Sequence, residues 1–421
     1  MDDPNISATL ENDGVLVARI DMPGRAMNVF SMSMMDSLER LLDHVDATPA
    51  VKGVVITSGK PACFIAGADL EMVRSFTEQA RTASHEALHV MCGRLGRLFC
   101  RLEKSDKPYV AAINGLALGG GLEVTLACHE RVVADDHRVQ LGLPEIKLGL
   151  LPGAGGTQRL PRLIDPLKAM RMLLQGDSVS PAEALDIGLV NEVAPSGGLI
   201  ERACARARAL RSPQAPWNVP GKTFSSAPFD FNREDAVARI KALIGVSEYQ
   251  FARYPAYAAI MKCVIGGWNR QIEEASHWEM DCFIELIRNP IAGNMVTTMF
   301  LNRQRAAKED MTSYTALLPR LEAARDAAKT RGCTEDDVVF AVALAAARAW
   351  ELGGVGDPAL ADVATVTAGV APSWTGGPFR QLGQMTANDV RERAMRLSDA
   401  DRALFALPER IDALLRALRE A

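Results

Sequence analysis

Two glutamates, Glu123 and Glu145, stand 22 residues apart, and each adjoins a glycine-rich bend. Glu123 follows Gly119-Gly120-Gly121, and Glu145 precedes the run LGLLPGAGG. Two carboxylates can hold one water and move a proton when one is neutral and the other ionised. Amides freed at glycine bends can stabilise an oxygen that gains negative charge. These are the parts of an acid–base active site, although each also has an ordinary use. A glutamate in a helix's first turn offsets the helix dipole by about 0.3–1 kcal/mol. A glutamate after proline is commonly a solvated loop residue, and glycine bends can be purely structural turns.

The elements that must position the pair are legible around it. Tyr109 to Ile113 is an apolar run that predicts a buried strand. The three glycines then turn the chain into a helix whose first amides are unpaired. Leu122, Leu126 and Ala127 recur at helical spacing and put Glu123 in that helix's first turn. Upstream, residues 7–30 carry a hairpin pattern turning at Asp13-Gly14, a helix begins near Ser33, and 51–59 is a short apolar strand. Strand and helix alternate to about residue 190, which predicts an α/β fold. Residues 211–234 are rich in proline and serine and predict a linker. A helical pattern occupies 236–308.

In this order, NGLALGGGLEVTLACH and LGLPEIKLGLLPGAGGTQRLPRL resemble the signature of the crotonase, or enoyl-CoA hydratase, family. The segment ACFIAGADLEMV (62–73) is similar to that family's oxyanion-hole loop. The phrase ACHERVVADDHRVQLGLPE most resembles the α-subunit of multifunctional fatty-acid oxidation complexes. The resemblance implies a ββα spiral core over 1–200, a linker and long helices packed on it over 201–308, and an all-helical region over 309–421. It implies hydration of 2-trans-enoyl-CoA in β-oxidation. Glu123 and Glu145 would grip the water, Glu145 would deliver its proton to C2, and the amides of Ala68 and Gly120 would hold the thioester oxygen. Ala66, Gly67, Asp69, Gly119, Gly153 and Met27 would line the acyl-CoA. Coenzyme A enters as part of the substrate, and neither a metal nor NAD is expected. Double-bond isomerisation, another crotonase-type acyl-CoA reaction, or a non-catalytic role in assembling a β-oxidation complex are the alternatives. The second carboxylate favours hydration over isomerisation.

Composition narrows the class further. The 421 residues are 48% hydrophobic and 24% charged, with a net charge of −5, so nucleic acid is not an expected partner. The start MDDPNIS has no signal-peptide character, and the most apolar stretch, 108–128, is broken by Asn114, Glu123 and glycines. The eight cysteines lack C-x-x-C spacing and read as reduced thiols, which suggests a cytoplasmic protein. Association into a homo-oligomer or with other β-oxidation enzymes such as thiolase fits the resemblance.

Two further stretches bear on chemistry. His85-Glu86-Ala87-Leu88-His89 has the H-E-x-x-H spacing that sets two imidazoles on one helix face. No downstream motif supplies a third ligand, so the stretch reads as solvated helix polarity. After QRAAKED (304–310) the related α-subunits would continue with a strand and a G-x-G-x-x-G turn, and neither occurs after residue 300. Gly353-Gly354-Val355-Gly356 reads as a helix stop, and no histidine follows His277. Residues 344–383, with the turn Gly376–Phe379, resemble the C-terminal helical part of 3-hydroxyacyl-CoA dehydrogenase. The expectation is a hydratase without the nicotinamide domain and without hydride transfer.

Overall fold

The strands Gly53–Ser58, Tyr109–Ile113 and Glu130–Ala134 are buried on nearly every residue, as parallel strands covered on both faces must be. The computed structural model describes residues 3–218, 229–398 and 401–420. Residues 219–228 of the expected linker lie outside the described residues. The chain divides into two units, Met1–Arg288 and Asn289–Ala421.

In the first unit the hairpin forms as its pattern predicts. Strands β1 (Ile6–Leu10) and β2 (Val15–Ile20) pair antiparallel through the Asp13-Gly14 turn. β3 (Gly53–Ser58), β5 (Tyr109–Ile113), β7 (Glu130–Ala134) and β10 (Glu192–Ala194) add in parallel, giving a six-stranded sheet of order β1-β2-β3-β5-β7-β10. A smaller sheet collects β4 (Cys63–Ile65), β6 (Leu116–Leu118), β8 (Leu141–Gly142) and β9 (Ser178–Val179). β3, β5 and β7 of the large sheet are each followed by a strand of the small one, β4, β6 and β8, and then by a helical turn. That is the expected ββα spiral.

Helices α1 (Met32–Ala47), α2 (Leu70–Gln79), α3 (His85–Cys92) and α4 (Arg94–Glu103) precede β5. The short α5 (Gly120–Ala127) follows β6 and is buried along its whole length. After β8 come a 3-10 turn at Pro144–Leu148, then α6 (Gly156–Leu163) and α7 (Pro166–Gln175). α8 (Pro181–Asp186) opens with a capping box in which Ser180 and Glu183 satisfy each other's backbone amides. The unit closes with α9 (Leu199–Ala209), α10 (Ala236–Ile244), α11 (Glu248–Arg253), α12 (Pro255–Gly267) and α13 (Ile272–Arg288).

The expected boundary near residue 308 is corrected: the division falls at Arg288 and Asn289. Helix α14 (Pro290–Val296) continues through a π-helical stretch, Thr297–Asn302, into α15 (Arg303–Ala306), and its side chains bond within the second unit. Thr298 Oγ1 donates to Gly376 O at 2.7 Å, and Arg380 Nε donates to Asn294 Oδ1 at 2.8 Å. The remaining helices are α16 (Thr312–Thr315), α17 (Leu318–Thr330), α18 (Glu335–Glu351), α19 (Pro358–Thr367), α20 (Pro378–Gly383), α21 (Ala387–Ser398) and α22 (Ile411–Glu420). α18 is buried all round from Val338 to Ala347 and forms the unit's axis, against Leu321, Phe379, Phe405 and Leu414. Gly353 ends it in a left-handed conformation, as the sequence suggests.

The turn before α20 is held by a buried carboxylate. Asp362 accepts from Phe379 N at 2.8 Å and Arg380 N at 2.9 Å, and burial pushes its carboxyl up to about 8. A Cβ at Gly377 would come within 2.4 Å of Asp362, so only glycine fits there. Removing the carboxylate strands the buried amide of Phe379 and the partly buried amide of Arg380. Asp362→Ala is therefore expected to destabilise the second unit by about 3 kcal/mol. Thermal unfolding of the full chain with unchanged transitions would contradict this.

Candidate active site

Glu123 is buried at 3% exposure, and Glu145 sits in the 3-10 turn begun by Pro144 and ended by Gly149. Gly119 brings the two segments together. Its φ of 54° belongs to glycine, and a Cβ there would come within 2.5 Å of Glu145 Oε1 and 3.6 Å of Gly67 Cα. The glycine turn, the loop before α2 and the Glu145 carboxylate therefore share one small space.

The loop from Ala154 to Thr157 is held from two sides. Glu123 Oε1 accepts from Ala154 N and Gly156 N, both at 2.8 Å. Glu279, fully buried on α13, accepts from Gly155 N at 2.5 Å and Thr157 N at 3.1 Å, and also from Thr157 Oγ1. Arg159 Nη1 donates to Ala154 O at 3.0 Å, while its Nε pairs with buried Glu103 at 2.6 Å. Trp217 Nε1 donates to the other Glu103 oxygen at 2.7 Å.

Burial raises all three carboxyls above their ordinary range. Glu123 rises to about 6, because the two amides on its oxygen partly offset its desolvation. Glu145 is pushed up by burial and then by the charge of Glu123. It retains some exposure as a residue, but its Oε2 is shut from solvent and has no hydrogen-bond partner among the described residues. The state of that carboxyl is set by the atom's burial. Glu279 rises to about 8 through burial, with a further push from Glu123.

The segment carrying Ala68 has the geometry of an amide donor. Phe30 N donates to Gly67 O at 2.8 Å and Asp69 N to Phe30 O at 2.9 Å, so the ladder steps over Ala68 and leaves its N–H unused. Gly120 is the first residue of α5, where amides have no partner within the helix. Ala66 N bonds to Asn28 O at 2.9 Å. Asn28, missed in the sequence, is buried, and its side chain ties Met22, Ile20, Ser58 and Phe64 around the loop. Asp69 caps α2 and pairs with Arg25 at 2.8 Å, and Lys60 pairs with Asp21. Met27 is 47% exposed beside this loop, and Gly153 packs against the Phe283 ring. A cavity of about 1160 Å³ between α4 and α13 touches Gly153, Gly155 and Glu279 but neither Glu123 nor Glu145.

Two tertiary partners had no local signal. Glu279 appears in the sequence only as one polar position of an amphipathic helix. The H-E-x-x-H stretch, expected to lack a third partner, meets Asp281 of α13. All eight cysteines are free, and among the described residues no helix is long and apolar enough to cross a membrane.

Glu279 also sets a pH dependence. Its folded value lies above the ordinary carboxylate range, so near neutrality the folded chain binds a proton that the unfolded chain has released. Its contribution is complete below pH 4.5 and is lost as pH rises through about 8. Glu279→Gln should flatten the decline of stability with pH across that window in urea unfolding. An unaltered slope would show that Glu279 is ionised when folded.

Residues 11–224 match the family described as Enoyl-CoA hydratase/isomerase. The fatty acid oxidation complex subunit alpha of Shewanella frigidimarina is 38% identical over 278 residues, 66% of this chain and 38% of that protein. The protein of the same name from Idiomarina loihiensis is 38% identical over 295 residues, 68% of this chain and 40% of its own length. The chain thus spans about two fifths of the curated relatives it matches. An enoyl-CoA hydratase structure from Geobacillus kaustophilus aligns with 25% identity and a TM-score of 0.46, over 72% of this chain and 95% of that one. The chain belongs to the crotonase family of enoyl-CoA hydratases and isomerases, with homologues in fatty-acid oxidation.

Proposed function

We propose that this protein adds water across the double bond of 2-trans-enoyl-CoA, giving 3-hydroxyacyl-CoA. The observation that carries this reading is the unequal dressing of two adjacent buried carboxyls. Glu123 accepts two backbone amides on one oxygen, which favours its charged form. Glu145 has a buried oxygen with no donor among the described residues and feels the charge of Glu123, which favours its neutral form. A water between them gives its oxygen to C3 and its released proton to Glu123, while the Glu145 proton passes to C2. Proton exchange as product leaves returns Glu123 to its charged form and Glu145 to its neutral form. The amides of Ala68 and Gly120 receive the thioester oxygen as it becomes an enolate, and one such donor is worth about 3–4 kcal/mol in the transition state. Ala66, Gly67, Asp69, Gly119, Gly153 and Met27 border the acyl-CoA in this reading. Isomerisation of the double bond needs only one shuttling carboxyl, so the pair favours hydration.

The pH dependence follows from the same asymmetry. Activity should fall below about pH 6 as Glu123 takes up a proton, and fall again at higher pH as Glu145 loses its own. Glu123→Gln and Glu145→Gln should each lower kcat on crotonyl-CoA by about 10²–10⁴-fold. The double variant should be little worse than either, since both groups act on one water. The assay contains no added metal. Near-wild-type rates in both single variants would overturn the assignment.

A second element of the proposal concerns hydride transfer. Rossmann-type binding of NAD uses a glycine-rich strand-to-helix turn at the pyrophosphate. Every regular element among the described residues of the second unit is helical. In this reading the hydroxyacyl product passes to another active site. NADH should not accumulate when this chain is given NAD⁺ with short- or long-chain 3-hydroxyacyl-CoA, and its appearance would refute this element.

A further inference from the structure

Three of the six histidines meet on one surface patch of the first unit. Ser84 caps α3, so His85 and His89 fall one turn apart on a single face. Helix α13 presents His277 and Asp281, also one turn apart. Asp281 Oδ1 lies 2.9 Å from His85 Nε2 and 3.1 Å from His89 Nε2. The ligand-type atoms of these three residues all lie within 4.8 Å of one another. His277 stacks on His89 with ring centroids 5.5 Å apart, and its Nδ1 faces Glu273 O at 3.1 Å. A carbonyl oxygen only accepts, so that contact needs a proton on Nδ1.

Two imidazoles aimed at one carboxylate oxygen form an arrangement that a cation can occupy in place of the shared protons. Donor atoms around a tetrahedral zinc ion stand roughly 3.4 Å apart, within the span found here. Side-chain exposures of 49% for His85, 22% for His89 and 40% for Asp281 leave solvent access for a completing water. Neutral imidazoles with one carboxylate suit a borderline divalent ion, whereas calcium and magnesium prefer all-oxygen sites.

We infer that His85, His89 and Asp281 form a binding site for one divalent cation of the zinc class. The ion clasps α3 to α13, segments almost two hundred residues apart in the chain. Its role is structural: α13 also carries Glu279, which holds the loop from Ala154 to Thr157. The site is separate from Glu123 and Glu145 and does not depend on the hydration reading.

The test uses the full chain after chelator treatment, titrated calorimetrically with zinc chloride and, in parallel, spectroscopically with cobalt. Wild type should take up one equivalent, show the visible bands of four-coordinate cobalt, and unfold at a higher temperature with the ion bound. The surface variants His85→Gln/His89→Gln and Asp281→Asn should lose all three effects while keeping the wild-type circular dichroism. His44→Gln/His137→Gln, which alters histidines outside the cluster, should keep them. Absence of saturable uptake by wild type, or one-equivalent uptake that survives in His85→Gln/His89→Gln, would overturn the site.

Discussion

Four successive amides, from Ala154 to Thr157, are divided between two buried carboxylates. The partners alternate along this loop, Glu123 taking the first and third amides and Glu279 the second and fourth. Each side needs the other. An unpaired buried amide costs about 1–3 kcal/mol, and a buried carboxylate without donors costs more. The loop is thereby fixed against α5 on one face and α13 on the other, and the position of Glu123 follows from it. Arg159 adds a hold on Ala154 O, and its own charge is matched by Glu103 away from water. Removing either member of that ion pair would leave an uncompensated buried charge.

This arrangement also orders the protons. Among three carboxyls that burial has made reluctant to ionise, Glu123 has two amides on one oxygen and rises least, so it is the easiest of them to charge. Once charged, it discourages ionisation of Glu145 and Glu279. A neutral acid and a charged base can then coexist near neutrality without a metal ion to separate them. The second unit uses a related device, since Asp362 sits beneath the start of α20 and satisfies its first amides. There the carboxyl organises a turn.

Much of the fold and half of the loop's machinery were readable in the chain itself. The strand Tyr109–Ile113, the glycine turn and the start of α5 are local events, governed by apolar runs, backbone freedom and helix-end chemistry among adjacent residues. The same holds for the Asp13-Gly14 hairpin. Glu123 and Glu145 were visible because each is attached to such a local signal. The unit boundary was misplaced because a helical pattern continues across residue 289, and nothing local tells which core a helix joins.

The sequence by itself determined the ββα core, the two segments that expose amides and the pair of carboxylates. Only the tertiary structure decided that Glu279 shares the loop with Glu123, that Arg159 pairs with Glu103, and that Asp281 closes on His85 and His89. The reason is physical. Periodicity and turn chemistry act between residues a few positions apart, whereas a side chain's partner across packed helices depends on how two faces meet. On α13 the residues Glu279 and Asp281 are two polar positions of an ordinary amphipathic helix until the core turns one inward to the loop and leaves the other beside α3.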